Sequence, residues 1–185
     1  MSNTPYAVDQ QVSRTSNVLV LKVDPPCAGT TADINISTTL QSRTNHSGEY
    51  SVKLYDVGST TVVYDLTATA DVTGAMIIDG AANTIAPGTY QIAVKYPNSL
   101  HAVQTVTLAA GANSVYMGIL PMGDANDDNF VTLLDFSLLA STFNTDVSET
   151  LDGRADFNGD GFVTLLDFSI LASNFNTGGQ EPSTP

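Results

Sequence analysis

Apolar and polar residues alternate in short runs along the first two-thirds of the chain, and the rhythm then changes to helical spacing. "ADINISTTL" (32–40) places Ile34, Ile36 and Leu40 on one face, and "YSVKLYD" (50–56) sets Val52 and Leu54 against Ser51 and Lys53. "NVLVLKV" (17–23), "TVVYDLTAT" (61–69), "AMIID" (75–79), "TYQIAVKY" (89–96), "HAVQTVTL" (101–108) and "SVYMGIL" (114–120) have the same strand-like character. A period of two suits a half-buried strand, because successive side chains point to opposite faces. Eight such runs, divided by Gly, Pro, Asn and Ser clusters, predict an antiparallel β-sandwich over 17–121. The "SG" at 47–48, "DG" at 79–80, "PG" at 87–88 and "GAN" at 111–113 supply residues that tolerate or preset turn dihedrals. Residues 1–16 are polar and patternless and read as an N-terminal extension.

After Pro121 the spacing becomes helical. Leu133, Leu134, Phe136, Leu138, Leu139 and Phe143 cover one helix face and its flank, and Leu165, Leu166, Phe168, Ile170, Leu171 and Phe175 repeat the arrangement. This places a boundary near 120–123, with a link, "LPMG", too short for free rotation. The small second domain spans 122–177, and residues 178–185 read as a flexible tail.

An acidic loop precedes each helical run. "DANDDNFVTLLDFSLLASTFNT" (124–145) and "DFNGDGFVTLLDFSILASNFNT" (156–177) agree at 17 of 22 positions. Oxygen-bearing side chains fall at loop positions 1, 3, 5, 9 and 12: Asp124, Asn126, Asp128, Thr132 and Asp135, then Asp156, Asn158, Asp160, Thr164 and Asp167. That is the spacing of a twelve-residue calcium loop, which wraps a hard cation in oxygens. Position 7 offers a backbone carbonyl, here Phe130 and Phe162; position 9 acts through water; position 12 closes the cage from the first helical turn. Position 6 must turn sharply, which Gly161 does easily and Asn129 tolerates. Val131 and Val163 at position 8 pair the loops or face the core. Asp and Asn are also ordinary turn and helix-capping residues, but two copies with every ligand position filled favour calcium. Magnesium demands a stricter octahedron. Two bound divalent ions would bring the net charge from −13 to −9.

Both loops end in Asp rather than Glu, and no helix is expected before either. In these respects 122–177 resembles the dockerin type I module, a pair of calcium loop–helix repeats. The resemblance implies two Ca²⁺ ions, a cohesin-like partner, and contact through loop positions 10 and 11 and the helix beyond. Those residues are Leu133, Leu134, Ala140 and Ser141, and in the second copy Leu165, Leu166, Ala172 and Ser173. The two sets are identical, which implies binding in two orientations. The same leucines would alternatively form the module's core or dock on the sandwich. "IAPGTYQIAVKY" (85–96), with "TVTLAAGANSVYMGIL" (105–120), resembles the carboxypeptidase-regulatory-like and CnaB-like, Ig-like sandwiches found before such modules in exported bacterial proteins, for example of the Chloroflexota. A CnaB-like domain can carry a Lys–Asn isopeptide bond, for which Lys22 and Asn113 are candidates with Glu49 nearby in sequence. The expected fold class is therefore a mainly β, Ig-like antiparallel sandwich followed by a small all-α dockerin-like domain.

Charge and composition narrow the function. A net charge of −13 leaves no basic patch for nucleic acid. No apolar run is long enough to span a membrane. Cys27 is the sole cysteine, so no intrachain disulfide forms. "MSNTPYAVDQQ" lacks the apolar core of a signal peptide, so the chain reads as cytosolic or as a mature piece of an exported protein, with an extracellular or cell-surface location favoured. His46 and His101 are too few and too separated for a zinc site or triad, His101 being expected as a satisfied surface residue, and no nucleophile elbow or P-loop is present. The expectation is a non-catalytic calcium-dependent attachment protein with a cohesin-like partner. Two alternatives remain: a filament or surface-layer subunit that pairs with copies of itself by strand exchange, and a polysaccharide-binding module with Tyr55, Tyr64, Tyr90 and Tyr96 as a sugar platform.

Overall fold

The computed structural model of the protein describes residues 30–147 and 153–183. The expected strand at 17–23, Lys22, Cys27 and the N-terminal extension lie outside the described residues. Seven strands follow in order: β1 (Ala32–Leu40), β2 (Gly48–Asp56), β3 (Val62–Ala70), β4 (Ala75–Ile78), β5 (Gly88–Lys95), β6 (Ala102–Leu108) and β7 (Gly111–Leu120). They form a three-stranded sheet, β4-β1-β7, and a four-stranded sheet, β3-β2-β5-β6. The inward residues of β1 (Ala32, Ile34, Ile36, Leu40) and β2 (Tyr50, Val52, Leu54) are almost wholly buried, with Ile92 and Val94 of β5 and Val115 and Met117 of β7. Alternation fixes which face turns inward, because a one-residue slip would expose the whole apolar set.

The antiparallel expectation needs one correction: β1 and β7 run parallel, from Ala32 beside Gly111 to Leu40 beside Leu120. The chain enters and leaves this sheet in the same direction, and period-two patterning carries no information on strand direction. The register shifts between Ser37 and Thr39, where Gly118 adopts φ +78°. Thr38 Oγ1 donates to the Gly118 carbonyl at 2.9 Å, which satisfies the group the bulge leaves out.

Strand β5 is buried on both faces over Tyr90–Lys95. Tyr90, Ile92 and Val94 face the other sheet; Gln91, Ala93 and Lys95 point the opposite way and are covered by the C-terminal part of the chain. That part contains two helices, α1 (Leu133–Ser141) and α2 (Leu165–Ser173). Met122 in the short link is fully buried, so the sandwich and the helical part share one apolar core with Val131, Leu139, Phe157, Val163 and Leu171.

Three other expectations change. Tyr55 and Tyr90 are buried and Tyr64 and Tyr96 only partly exposed, so these tyrosines form no open sugar platform. Asn113 holds the β6–β7 turn: its Oδ1 accepts from Ala109 N, and its Nδ2 donates to the carbonyls of Asp33, Ala109 and Gly111. The tail read as free runs back along the sandwich. Gly179 N–H donates to Asn129 O at 2.9 Å, Gln180 N–H to His101 O at 3.0 Å, and Gln91 Nε2 to Ser183 Oγ at 2.5 Å. A Cβ at Gly178 would stand 2.6 Å from the Phe130 ring, and one at Gly179 2.0 Å from Asn129 Oδ1. The Gly-Gly pair that looked like a linker is what permits the close approach.

Tyr50 reports on the core. Its hydroxyl donates to His46 O at 2.7 Å, and its ring packs against Tyr96 with centroids 5.0 Å apart. Burial, reinforced by Tyr96 and opposed by Arg43, pushes its hydroxyl up to about 12. Below pH 10, where an ordinary tyrosine is neutral in folded and unfolded chains alike, its packing is fully available. As the pH rises toward and through 12 that stability is lost, because only the unfolded chain ionises freely. An alkaline titration followed by tyrosinate absorbance should show a class ionising together with loss of sheet circular dichroism, and Tyr50→Phe should delete the latest member. Uniform ionisation of all seven tyrosines near pH 10 with the sandwich intact would contradict this placement.

Candidate functional site

The two acidic loops fold alike because each must satisfy its own backbone amides in a tight turn. In the first, Asp124 Oδ1 accepts from Asp128 N (3.0 Å) and Oδ2 from Asn129 N (2.9 Å). In the second, Asp156 Oδ1 accepts from Gly159 N (2.8 Å) and Asp160 N (3.2 Å), and Oδ2 from Gly161 N (3.0 Å). Asn126 Oδ1 and Asn158 Oδ1 accept from Asp128 N and Asp160 N, while Asp128 Oδ1 and Asp160 Oδ1 accept from Phe130 N and Phe162 N, each at 2.9 Å. The left-handed residues are Asp127 (φ +66°) and Asn129 (+69°) in one loop, and Gly159 (+73°) and Gly161 (+90°) in the other. Asp, Asn and Gly are the residues that accept that conformation at least cost.

The position 12 carboxylates join loop to helix. Asp135 Oδ1 accepts from Asn126 N (3.0 Å) and Oδ2 from Thr132 N (2.7 Å). Asp167 Oδ1 accepts from Phe157 N (2.8 Å) and Asn158 N (3.1 Å), and Oδ2 from Thr164 N (2.9 Å). Thr132 and Thr164 are the N-caps of α1 and α2 and form capping boxes with these aspartates. Asp124, Asp135 and Asp167 are completely buried and Asp156 nearly so.

Val131 and Val163 do not pair with each other. Val131 N–H donates to Thr177 O and Val163 N–H to Thr145 O. Each loop therefore pairs with the segment that leaves the other repeat's helix. The isolated bridges Phe130–Gly178 and Asp146–Phe162 belong to the same cross-pairing. In an extended residue N–H and C=O point the same way. Phe130 and Phe162 give their N–H to a loop aspartate, so their carbonyls also lie on the loop side.

Side chains of the sandwich reach both loops, and sequence reading missed them. Lys95 Nζ lies 2.6 Å from Asp124 Oδ2 and 2.7 Å from Asp127 Oδ1. Arg43 Nε donates to Phe157 O and its Nη2 to Asp156 O, both at 2.8 Å, while its guanidinium lies over the Tyr96 ring, 5.1 Å from the centroid. His101 N–H donates to Asn129 Oδ1 at 2.8 Å, and Asn129 Nδ2 donates to Glu181 at 2.5 Å. His101 is not the satisfied surface residue expected: its Nδ1 is buried without a hydrogen-bond partner, and burial, then the Lys95 charge, push the ring below the usual histidine range. A lone Lys at the end of an apolar strand is the one sequence signal that pointed here.

Among the described residues no three Asp, Glu, His or Cys side chains converge as a bare metal cluster, because the loop carboxylates are held by amides. The donor set nevertheless fits a hard cation, being oxygen throughout. The second loop adds an electrostatic argument. Burial pushes the Asp156 carboxyl above the usual range, the Gly161 and Gly159 amides pull it down, the neighbouring Asp167 charge pushes it up again, and the Arg43 charge opposes that in part. Two buried like charges are strained unless a cation joins them.

The partner-facing residues expected from sequence are at the surface. Leu133 (66%), Leu134 (61%), Leu165 (71%) and Leu166 (60%) are largely exposed, as are Ala140, Ser141, Ala172 and Ser173. Leu139, Ile170 and Leu171 supply the core instead. Phe136 and Phe168 meet edge to face at 6.1 Å, and a cleft of about 370 Å³ beside them is lined by Leu139, Ala140, Phe143 and Leu165. The two faces are not quite equivalent, since Gln41 Nε2 donates to Ser173 Oγ at 3.3 Å.

Comparison with known proteins gives the class of the C-terminal part: residues 122–176 match the dockerin type I domain. The particular likeness is to chains of two interface mutants of a type II cohesin–X–dockerin complex from Acetivibrio cellulolyticus. One is 22% identical with a TM-score of 0.58 over 80% of this chain and 97% of that one. The other is 25% identical with a TM-score of 0.56 over 82% and 98%. No curated protein matches the chain.

Arg43→Ala leaves two buried carbonyls of the second loop without their charge-assisted donor. It should lower unfolding free energy by about 1.5–3 kcal/mol in urea denaturation; a change below about 0.5 kcal/mol, the scale of an ordinary surface substitution, would contradict the clamp.

Proposed function

We propose that this chain is a calcium-dependent, non-catalytic assembly protein whose residues 122–177 dock on a cohesin-like module, with the Ig-like sandwich of 17–121 as their support. The observation that carries the reading is the pair of exposed leucines that each calcium-type loop presents at the start of its helix. Dockerin modules act in protein–protein assembly, and the match over 122–176 supports that role. Extracellular or cell-surface action accords with a calcium-loaded attachment module. Among the described residues no helix is long and apolar enough to cross a membrane.

The first ion would be held by Asp124, Asn126, Asp128, the Phe130 carbonyl, a water on Thr132, and Asp135. The second would be held by Asp156, Asn158, Asp160, the Phe162 carbonyl, a water on Thr164, and Asp167. The ion's role is neutralisation: it lets the buried carboxylates stay ionised, and its binding energy adds to folding. Asp135 and Asp167 then fix where Leu133–Leu134 and Leu165–Leu166 stand, so closure of a loop and presentation of its partner face are one event.

A second reading, a self-assembling filament or surface-layer subunit, is favoured by one observation. Ile77, Tyr116 and Ile119 are more than 60% exposed on the outer face of the β4-β1-β7 sheet. Electron microscopy with calcium separates the two: ordered fibres support the subunit, and a dispersed monomer supports the adaptor.

Removing calcium with EGTA should lower the melting temperature by about 5 °C or more, given the stabilisation expected of a ligand well above its Kd. An unchanged melting temperature sinks the calcium reading. In a binding screen against cohesin modules, Leu133→Asp with Leu134→Asp should leave binding through the second face, and Leu165→Asp with Leu166→Asp through the first. Only the fourfold variant should lose it, by about 100-fold or more if each face carries a central apolar anchor. Full retention by the fourfold variant rejects this face.

A further inference from the structure

We propose that Lys95 of the sandwich is a built-in cation for the first loop, so that this loop stays closed without calcium whereas the second does not. The inference rests on the calcium reading above and adds that the two sites are unequal despite nearly identical loops.

The chemistry is in the position of the ammonium. Lys95 is the last residue of β5 and points away from the sandwich core, with its side chain 10% exposed and that of Asp124 wholly buried. Its Nζ contacts Asp124 Oδ2, the oxygen that also receives the Asn129 amide. Oδ1 remains on the other side, bonded to the Asp128 amide. The ammonium thus neutralises the carboxylate through Oδ2 and makes no contact with Oδ1. Asp127, at loop position 4, completes the seat at 2.7 Å. The Lys95–Asp124 pair is buried at both ends and is far less screened than a surface pair, whereas the Asp127 side chain is 67% exposed.

Among the described residues no lysine or arginine nitrogen forms an ion pair with a carboxylate of the second loop. Its position 4 is Gly159, where a Cβ would stand 3.3 Å from the Arg43 guanidinium. Arg43 is spent on the backbone carbonyls of Asp156 and Phe157. Asp156 and Asp167 therefore have amides for hydrogen-bond partners and each other's charge close by, with Arg43 acting on Asp156 without an ion pair. Without a divalent ion such a buried pair is relieved by opening to water. The first loop carries further ties to the sandwich: the Gly123 and Asp124 amides donate to Asn98 O, and Asn129 bonds His101 and Glu181. Lys95 and calcium are attracted to the same negative charge, so the ammonium favours the empty first loop and the ion adds less to its closure.

The test is amide hydrogen exchange by NMR on the full chain, in calcium and in EGTA. The informative amides are equivalent pairs: Asp128 and Asn129 in the first loop, Asp160 and Gly161 in the second. In EGTA, Asp160 and Gly161 should lose about tenfold or more in protection, while Asp128 and Asn129 change by less than about threefold. In Lys95→Met, which keeps the length of the stem, Asp128 and Asn129 should lose protection in EGTA as well. Amides of β2 and β5 report whether that variant is folded; if it is not, the wild-type comparison of the two loops decides alone. Equal loss in both loops of the wild type, or protection of Asp128 and Asn129 that is indifferent to Lys95→Met, overturns the proposal. Failure of the calcium reading looks different: no heat of calcium binding in calorimetry and no change at any of the four amides, which overturns both.

Discussion

A tight loop that buries its backbone must give every amide a partner, and here aspartate carboxylates meet that demand. Asp135 and Asp167 each bond a loop amide and a helix N-cap amide at once. They hold a turn, start a helix and are among the ligands proposed for the ion. Removing either would leave several buried N–H groups unpaired, each costing about 1–3 kcal/mol. The exposed leucines follow from this anchorage. Once position 12 must face inward, positions 11 and 10, roughly 100° and 200° away around the helix, must face out.

The sandwich is more than a support. Its β1–β2 loop supplies Arg43, its fifth strand Lys95, and the residue just before its sixth the His101 amide. A cationic side chain thus reaches each acidic loop, but by different chemistry, one through a carboxylate and one through carbonyls. Sequence symmetry between the repeats is therefore not structural equivalence. The asymmetry enters at loop positions 4 and 6, where Asp127 and Asn129 stand opposite Gly159 and Gly161.

Much of this was legible in the amino-acid order. Strands of period two were readable because one face of each is buried, and β1 agrees with its sequence run residue for residue. The repeated acidic loop and the helix that follows it were readable because their spacing is local. What could not be read is non-local. The parallel pairing of β1 and β7 depends on the path of the whole chain. Lys95 looked like any strand-end lysine until Asp124, 29 residues away, was placed over it. The helical apolar pattern was legible but ambiguous: of six apolar positions in the first helical run only Leu139 is fully inside and Leu138 partly, since a face built for burial and one built for contact share a spelling. The tail misled for a similar reason, since Gly-Gly signals both freedom and close approach.

The crossed pairing of the repeats carries a consequence for how the protein is made. The first loop's strand partner is Thr177, and the second loop's is Thr145. A chain emerging from the ribosome can release the whole first repeat and still lack the segment that closes it. The first loop must therefore wait until Thr177 has been made, whereas the strand pairing of the sheets is complete at Leu120. The order of translation sets the order of assembly: the sandwich stands first, with Lys95 and Arg43 already in place, and the end of the second repeat closes the first loop behind it.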